Sequence, residues 1–144
     1  MNPKDITMNA SVKWDHGLTF TGTADSNFTV NLGGAKSVGG DDDGLRPMEL
    51  ILIGLIGCTA MDVISILSKM KEPVSDFEVR AQAQRADTHP KVFTHIAIEY
   101  VIHGQNVKPQ SVERAIELSE KRYCPAQAML GQVVPIEINY QILP

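Results

Sequence analysis

The residues of this 144-residue chain that are most able to do chemistry are its two cysteines, Cys58 and Cys124. A thiolate is a nucleophile and a metal ligand, and two thiols can also pair as a disulfide. Two cysteines are too few for the disulfide scaffold of a small secreted domain. The structural alternative is a pair of buried thiols, because cysteine is among the most often buried residue types. The residue types alone leave both interpretations open.

The two cysteines stand in different local contexts. Proline is favoured as the first residue of a helical turn, so Pro125 makes Cys124 a candidate N-cap. A thiolate there would face unpaired backbone N–H groups, and we expect the pKa of Cys124 to be lowered, with Lys121 adding to the effect. Cys58 lies too far inside a predicted helix to feel the dipole of that helix. A cation that activates Cys58 must come from elsewhere, and Arg46 is the nearest candidate along the chain.

Metal and hydrolase chemistry have little support in the sequence. Neither cysteine belongs to a Cys-x-x-Cys pair, and the histidines show no known ligand spacing. The four histidines are His16, His89, His95 and His103. We therefore expect no metal site and no cofactor. A serine hydrolase is unsupported because the chain has no Gly-x-Ser-x-Gly motif.

The predicted strands form two groups. Six segments are rich in β-branched or alternating apolar residues and predict strands. They are residues 8–14, 18–23, 27–32, 75–85, 92–103 and 135–143. The glycine- and aspartate-rich residues 33–44 lack the spacing of a phosphate or calcium loop and predict a solvated connection. The order β-β-β-α-β-β-α-β favours an α+β fold in a single domain over residues 1–144, because the strands are grouped in runs.

The first predicted helix is unusually long and apolar. Pro47 opens it, and residues 50–67 within it are nearly all apolar. This length raises the possibility of a membrane span, but Asp62 lies inside and the remaining chain is strand-rich. We expect no membrane partner and a helix at the buried centre of the protein. A chain this small has difficulty surrounding such a helix, so we expect a second subunit to approach it at Gly54 and Gly57.

The second predicted helix begins at Pro109 and ends near Cys124. Five residues recur at three- and four-residue steps and predict one buried stripe. They are Val112, Ala115, Ile116, Ser119 and Tyr123. Pro125 interrupts this helix, and residues 126–130 can form one further turn.

Composition and the first residues limit partners and location. The formal net charge of −4 argues against nucleic-acid binding, which depends on Lys and Arg contacts to phosphates. Residues 1–5 lack the apolar segment of a signal peptide, so we expect a cytoplasmic protein. In that reducing compartment the thiols would be free, bound to a metal, or paired only transiently in a reaction.

Three segments resemble the OsmC/Ohr family. Residues 46–52, Arg-Pro-Met-Glu-Leu-Ile-Leu, and 57–63, Gly-Cys-Thr-Ala-Met-Asp-Val, are similar to its proline-led helix with a cysteine eleven residues after the proline. Residues 121–125, Lys-Arg-Tyr-Cys-Pro, look like its second cysteine motif. The order of elements agrees over about residues 8–142. The resemblance implies an intertwined homodimer with the long helices packed centrally and two active sites at the interface.

The resemblance also implies reduction of organic hydroperoxides. Cys58 would be the thiolate that attacks the O–O bond and becomes a sulfenic acid. Cys124 would condense with it to a disulfide, and a dithiol reductant of lipoyl type or a small thiol would restore both cysteines. A non-catalytic member of the fold would instead bind a small apolar ligand or sense oxidants at the same interface.

The chain departs from the better-studied members near the first cysteine. Ohr enzymes have a glutamate directly after the helix-opening proline, where this chain has Met48; Glu49 follows and matches a second acidic position of some OsmC members. Ohr enzymes also place an activating arginine in the first hairpin, where residues 14–18 contain none. The likeness is therefore to the OsmC-like branch, with weaker peroxidase activity expected. The candidates to replace the missing arginine are His16, Arg46 and Arg80.

Overall fold

The computed structural model describes residues 5–144. Residues 1–4, which belong to the segment examined for a signal peptide, lie outside the described residues. The described chain is a mixed α+β fold with two three-stranded sheets and three α-helices. Its backbone contacts group into two compact units, one ending at Ile51 and the other spanning Leu52–Pro144.

The first unit contains an antiparallel sheet. Its strands are β1 (Ala10–His16), β2 (Thr19–Ala24) and β3 (Thr29–Leu32), in that spatial order. The turn between β1 and β2 places Gly17 at a φ of 49°, a left-handed conformation that favours glycine. Every residue of β1 is exposed. Phe28 directly precedes β3 and is 83% exposed, whereas Val30 on β3 is half-buried.

The second unit contains a mixed sheet with its central strand in the core. Its strands are β4 (Asp76–Arg85), β5 (Phe93–His103) and β6 (Ile136–Leu143). β5 pairs antiparallel with β4 and parallel with β6. A parallel pair needs a long crossover, which the helices between β5 and β6 supply. Ile96, Ile98, Tyr100 and Ile102 of β5 are fully buried.

Helix α1 (Pro47–Lys69) buries one face only. Leu55, Thr59, Val63 and Leu67 recur every four residues on that face, as a 3.6-residue period requires. Met61, on the opposite face, is 73% exposed. The described chain therefore covers one face of the helix, as the size argument expected, and the second subunit expected to cover the other face stays a prediction. By length and composition α1 is apolar enough to cross a membrane, with 22% of its apolar stretch buried, although the core helix of a soluble protein passes the same test.

The second cysteine motif follows a change of helix type. Helix α2 (Pro109–Leu118) continues into a π-helical turn (Ser119–Tyr123), and helix α3 (Pro125–Leu130) begins directly after Cys124. The Cys124 N–H donates to the Ser119 carbonyl, five residues earlier, at 2.8 Å. The wider turn rotates the later residues, so Tyr123 is 51% exposed and its predicted place in the buried stripe is wrong. Val112, Ala115, Ile116 and Ser119 are buried as predicted.

Candidate functional site

Cys124 is a buried thiol at the start of α3. It is 3% exposed, and its Sγ accepts a hydrogen bond from the Gln127 N–H at 3.3 Å. The predicted N-cap position is therefore confirmed. Burial nevertheless raises the pKa of the Cys124 thiol to about 11, although the backbone N–H groups of Gln127 and Ala126 lower it. The predicted lowering of this pKa is wrong because desolvation of the thiolate outweighs the donors at the helix end.

Cys58 lies beside Cys124. It is half-buried on α1, one residue before the buried Thr59. After burial and the Gln127 N–H, the next influence on the Cys124 pKa is the neighbouring Cys58 thiol, which raises it. The fold thus brings together the two thiols, from different elements, as free cysteines. Because Cys58 and Cys124 lie far apart in the sequence, their positions along the chain did not predict that the two thiols are neighbours.

A series of buried hydroxyl groups is centred on Thr59, and no sequence motif indicated it. Thr59 Oγ1 lies 2.7 Å from Tyr100 Oη on β5 and 2.7 Å from Ser119 Oγ. The Ser119 hydroxyl donates to Asp62 Oδ2 at 2.9 Å. Thr59, Tyr100 and Ser119 are fully buried, whereas Asp62 is half-buried. These hydrogen bonds therefore connect the protein interior to the Asp62 carboxylate, which solvent can reach.

Tyr100 forms one end of this hydrogen-bonded series, and its phenol lies near enough to Cys124 for the charge of that residue to act on its pKa. Burial raises the pKa of the Tyr100 phenol, the hydrogen bond with Thr59 lowers it, and the charge of the neighbouring Cys124 raises it. The buried Gln127 side chain also approaches the phenol and lowers its pKa. Its Nε2 has no partner at normal hydrogen-bond length within residues 5–144. Gln127 thus offers a backbone donor to Cys124 and an unused side-chain donor nearby.

Glu49 and Arg46, two of the predicted supporting residues, form the start of α1. Arg46 directly precedes the helix, and its backbone N–H donates to Glu49 Oε1 at 2.8 Å. Glu49 is the third helical residue, so this is the glutamate half of a capping box. The negative side chain also lies where the helix dipole favours it. A helix-end role therefore accounts for the position of Glu49.

The two candidate arginines already pair with carboxylates. The Arg46 guanidinium forms an ion pair with Asp42 in the first unit. In the second unit, Arg80 donates to Glu78 Oε1 at 2.8 Å and to Glu99 Oε1 at 3.3 Å. These carboxylates compensate both guanidinium charges, so each arginine has a structural role beside any effect on a thiolate.

His16, the third candidate, belongs to a cluster of carboxylates in the first unit. Its Nε2 lies 3.3 Å from Asp41 Oδ2 and 3.4 Å from Asp43 Oδ2. The Thr19 hydroxyl also donates to Asp43, at 2.7 Å. Within the described part of the chain, these three residues are the one group whose ligand atoms lie close enough to share a metal ion. Pairing of the His16 side chain with the two carboxylates explains the same geometry, and all three residues are exposed.

Comparison with known proteins identifies the fold and the family. Residues 40–139 match the family of OsmC-like proteins. The chain is 37% identical over 136 residues to protein YhfA of Escherichia coli K12, covering 94% of this chain and 98% of YhfA. A hypothetical protein from Aquifex aeolicus has a similar crystal structure, with a TM-score of 0.84 and 27% identity over 96% of this chain and 97% of that one. An organic hydroperoxide resistance protein OsmC from Legionella pneumophila shares the fold, with a TM-score of 0.68 and 14% identity over 94% and 97% of the two chains. The resemblance to this family is thus confirmed, and the chain belongs to the OsmC-like family.

Proposed function

We propose that this protein is a thiol-dependent peroxidase that reduces organic hydroperoxides. The observation that supports it most is the pairing of a half-buried thiol, Cys58, with a buried one, Cys124, from separate elements. Membership in the OsmC-like family supports a peroxide-related stress function. The name of the Legionella relative refers, for that protein, to organic hydroperoxide resistance.

The different surroundings of the two thiols favour one order of events. Cys58 is the more accessible thiol, and its thiolate attacks the peroxide oxygen; the O–O bond breaks, an alcohol leaves and Cys58 becomes a sulfenic acid. Cys124 is buried, and its raised pKa of about 11 keeps it protonated at neutral pH. It therefore acts second: the S–S bond forms, the S–O bond breaks and water leaves. A lipoyl-type dithiol or a small thiol then restores both cysteines by exchange.

Uncovered apolar faces favour a homodimer with an apolar substrate site. The open face of α1, opposite its buried face, carries Ile53, Gly54, Gly57, Met61 and Ile64. A Cβ placed on Gly54 or Gly57 would meet no atom within 4 Å in the described chain, so another backbone can approach closely. In the first unit, a groove of about 480 Å³ is lined by apolar residues including Val12, Phe28 and Leu32. A second copy that covers these faces would surround the site with apolar walls, which favour organic hydroperoxides over hydrogen peroxide.

A second candidate is a non-catalytic member that binds a small apolar ligand or senses oxidants. Two observations favour it. The groove of about 480 Å³ in the first unit is large enough for a small apolar molecule. Arg46 and Arg80, two candidates for activating Cys58, have their charges compensated by carboxylates.

Adding cumene hydroperoxide to the reduced protein tests the proposal directly. We expect the count of free thiols to fall from two per chain to none, with repeated turnover when dihydrolipoamide is supplied. Cys124→Ser should stop at a Cys58 sulfenic acid that dimedone traps, whereas Cys58→Ser should keep its remaining thiol. A thiol count that stays at two refutes the peroxidase. Oxidation once per chain without turnover identifies an oxidant sensor.

A further inference from the structure

Two hydrogen bonds connect the residue that follows Cys58 with the backbone of Cys124. Thr59, the next residue of α1 after Cys58, has its Oγ1 2.7 Å from Ser119 Oγ. The Ser119 carbonyl in turn accepts the Cys124 N–H at 2.8 Å. Thr59 and Ser119 are both fully buried, so solvent does not reach either hydroxyl. One peptide bond and two hydrogen bonds, with Ser119 between them, thus lead from one cysteine to the other.

The Ser119 hydroxyl is held by α1 at two positions. It donates to Asp62 Oδ2 at 2.9 Å, and because a hydroxyl group carries one proton, it must accept the proton of Thr59. Thr59 and Asp62 are three residues apart on α1 and therefore lie on the same side of that helix. A hydroxyl that both donates and accepts in this way has one orientation. The first residue of the π-helical turn is therefore fixed against α1.

The π-helical turn determines which side chain faces the protein interior. In a regular α-helix the Ser119 carbonyl would accept from the Tyr123 N–H, four residues later. Here it accepts from the Cys124 N–H, five residues later, and Cys124 is 3% exposed whereas Tyr123 is 51% exposed. Single π-helical turns are rare and frequently lie at functional sites. The hydrogen bonds of the Ser119 hydroxyl stabilise this turn at the position where Cys124 points inward.

We propose that Thr59 and Ser119 are positioning residues for disulfide closure between Cys58 and Cys124. The inference rests on the proposed function and gives these two hydroxyl groups a role beside the thiols. Their hydrogen bond sets the place of the π-helical turn on α1, and the turn presents Cys124 to Cys58. In closure the S–S bond forms and the S–O bond of the Cys58 sulfenic acid breaks. The departing hydroxide takes up the proton of the Cys124 thiol and leaves as water.

The expected size of the effect follows from proximity. Two groups that a fold holds in a reactive geometry behave as if they were at a very high concentration, and a displacement of about 1 Å can cost about 10²-fold. Without the Ser119 hydroxyl the turn can return to α-helical register, which carries Cys124 away from Cys58. The effective concentration of the two thiols should then fall. Cys58 itself, on α1, should react with small reagents as before.

Ser119→Ala is the main test variant, because it removes the hydroxyl and leaves the carbonyl that accepts from Cys124. Thr59→Val removes the other hydroxyl at nearly constant volume, and Thr59→Ser retains it. The matched control is Val112→Ala, which removes apolar contacts from a fully buried position of α2, the helix that leads into the turn. It destabilises that helix without removing a hydrogen bond of the π-helical turn.

The first readout is the equilibrium of each reduced protein with a glutathione buffer. The two thiols and oxidised glutathione give an internal disulfide and two molecules of reduced glutathione, so the equilibrium constant is an effective concentration. A general loss of stability affects both folded forms alike and leaves this constant unchanged. We expect it to be roughly 10- to 100-fold lower in Ser119→Ala and Thr59→Val. Thr59→Ser and Val112→Ala should keep the wild-type value.

The second readout is alkylation of Cys58 by iodoacetamide, followed by mass spectrometry, which should proceed in Ser119→Ala at the wild-type rate. Slower alkylation would mean that the variant disturbs α1 and would count against the positioning role. An unchanged equilibrium constant in Ser119→Ala, an equal fall in Val112→Ala, or no recovery in Thr59→Ser overturns it. A wild-type protein that forms no internal disulfide in the glutathione buffer overturns it as well.

Cumene hydroperoxide separates the positioning role from the peroxidase, because the glutathione equilibrium needs no peroxide. With this peroxide, Ser119→Ala should form the Cys58 sulfenic acid at the wild-type rate and close the disulfide more slowly. If the variant lowers the glutathione equilibrium constant while cumene hydroperoxide leaves wild-type Cys58 unoxidised, the positioning role stands and the peroxidase is refuted. If the constant is unaffected while the peroxide oxidises both wild-type thiols, the positioning role is refuted and the peroxidase stands.

Discussion

Two opposing effects act on the Cys124 thiol, and burial is the stronger. The Gln127 N–H at 3.3 Å stabilises a thiolate, as expected for an N-cap side chain. Removing the sulfur from water destabilises the same thiolate, and Cys58 adds to this, so the pKa of Cys124 is raised to about 11. A thiol held in this state is unreactive until a base assists it. That suits a resolving cysteine, which must not react before its partner does.

We expect the raised pKa of Cys124 to make stability fall at alkaline pH. The folded thiol has a pKa of about 11 against an ordinary value of 9.0, so the unfolded chain releases its proton first. The stabilising effect is fully present below pH 9 and is lost as the pH rises through 11, by about 3 kcal/mol in all. Urea titrations of the reduced protein between pH 8 and 11.5 measure this decrease in the free energy of unfolding.

Cys124→Ser is the control for this pH dependence. Serine keeps an acceptor at the N-cap but does not ionise in this range. We expect the variant to lose less stability than the wild-type protein over the same pH range. Equal losses in the two proteins would assign the decrease to other groups, such as the buried Tyr100 phenol, whose pKa is also raised.

The two cysteines were recognisable from the sequence, but most of their surroundings were not. Pro125 correctly predicted Cys124 as an N-cap, because capping depends on residues close in the chain. The series of hydroxyl groups depends on contacts across 41 and 60 residues, between Thr59 and its partners Tyr100 and Ser119. No local pattern encodes such contacts. The degree of burial of Cys124 also depends on residues that are distant in the sequence, so it could not be predicted either.

At the scale of elements, Glu49 stabilises the start of α1. Its carboxylate accepts from the Arg46 N–H at 2.8 Å. We expect Glu49→Ala to lower the free energy of unfolding by about 1 kcal/mol, because the N–H loses its partner and the helix dipole loses a charge. Glu49→Gln keeps an acceptor suited to a capping box and should retain most of that stability. Chemical denaturation of the three proteins measures the difference.

The same pair of variants shows whether Glu49 also supports the proposed peroxidase activity. A capping role predicts that Cys58 in Glu49→Gln is alkylated by iodoacetamide at the wild-type rate. A change in that rate with stability preserved would give the Glu49 charge a role at the thiolate, as the family resemblance implies. Capping of α1 would then not be the whole role of Glu49.

The prolines correctly predicted where the α-helices begin, whereas no feature of the sequence predicted the π-helical turn. Pro47, Pro109 and Pro125 each stand at the first position of an α-helix. The three- and four-residue steps of α2 continue in the sequence to Tyr123, so the periodicity predicted a regular helix. One inserted residue changes which side chain turns inward: Cys124 is buried and Tyr123 is exposed. Packing against the rest of the fold, rather than the local periodicity, determines which of these two side chains is buried.

At the scale of the whole molecule, the single chain leaves apolar surface uncovered in both units. In the second unit, the open face of α1 carries Ile53, Met61 and Ile64, all exposed. In the first unit, Val12 and Phe28 are exposed beside the apolar groove. Contiguous apolar patches of this kind mark interaction surfaces in soluble proteins. The size argument made from the sequence and the exposed faces both support the proposal that a second subunit covers α1.

A charge on the open face of α1 should break the proposed dimer. Met61→Glu places a carboxylate on the open face, next to the position of Gly57, where burial against a second helix would leave it desolvated and unpaired. We expect sedimentation velocity to show a dimer for the wild-type protein and a monomer for Met61→Glu. Val133→Glu, at an apolar position of the second unit that is 78% exposed and not on α1, should remain dimeric. A dimeric Met61→Glu would contradict an interface on this face. If the monomer also reacts more slowly with cumene hydroperoxide while Cys58 keeps its rate with iodoacetamide, the second subunit contributes to peroxide binding rather than to thiol reactivity.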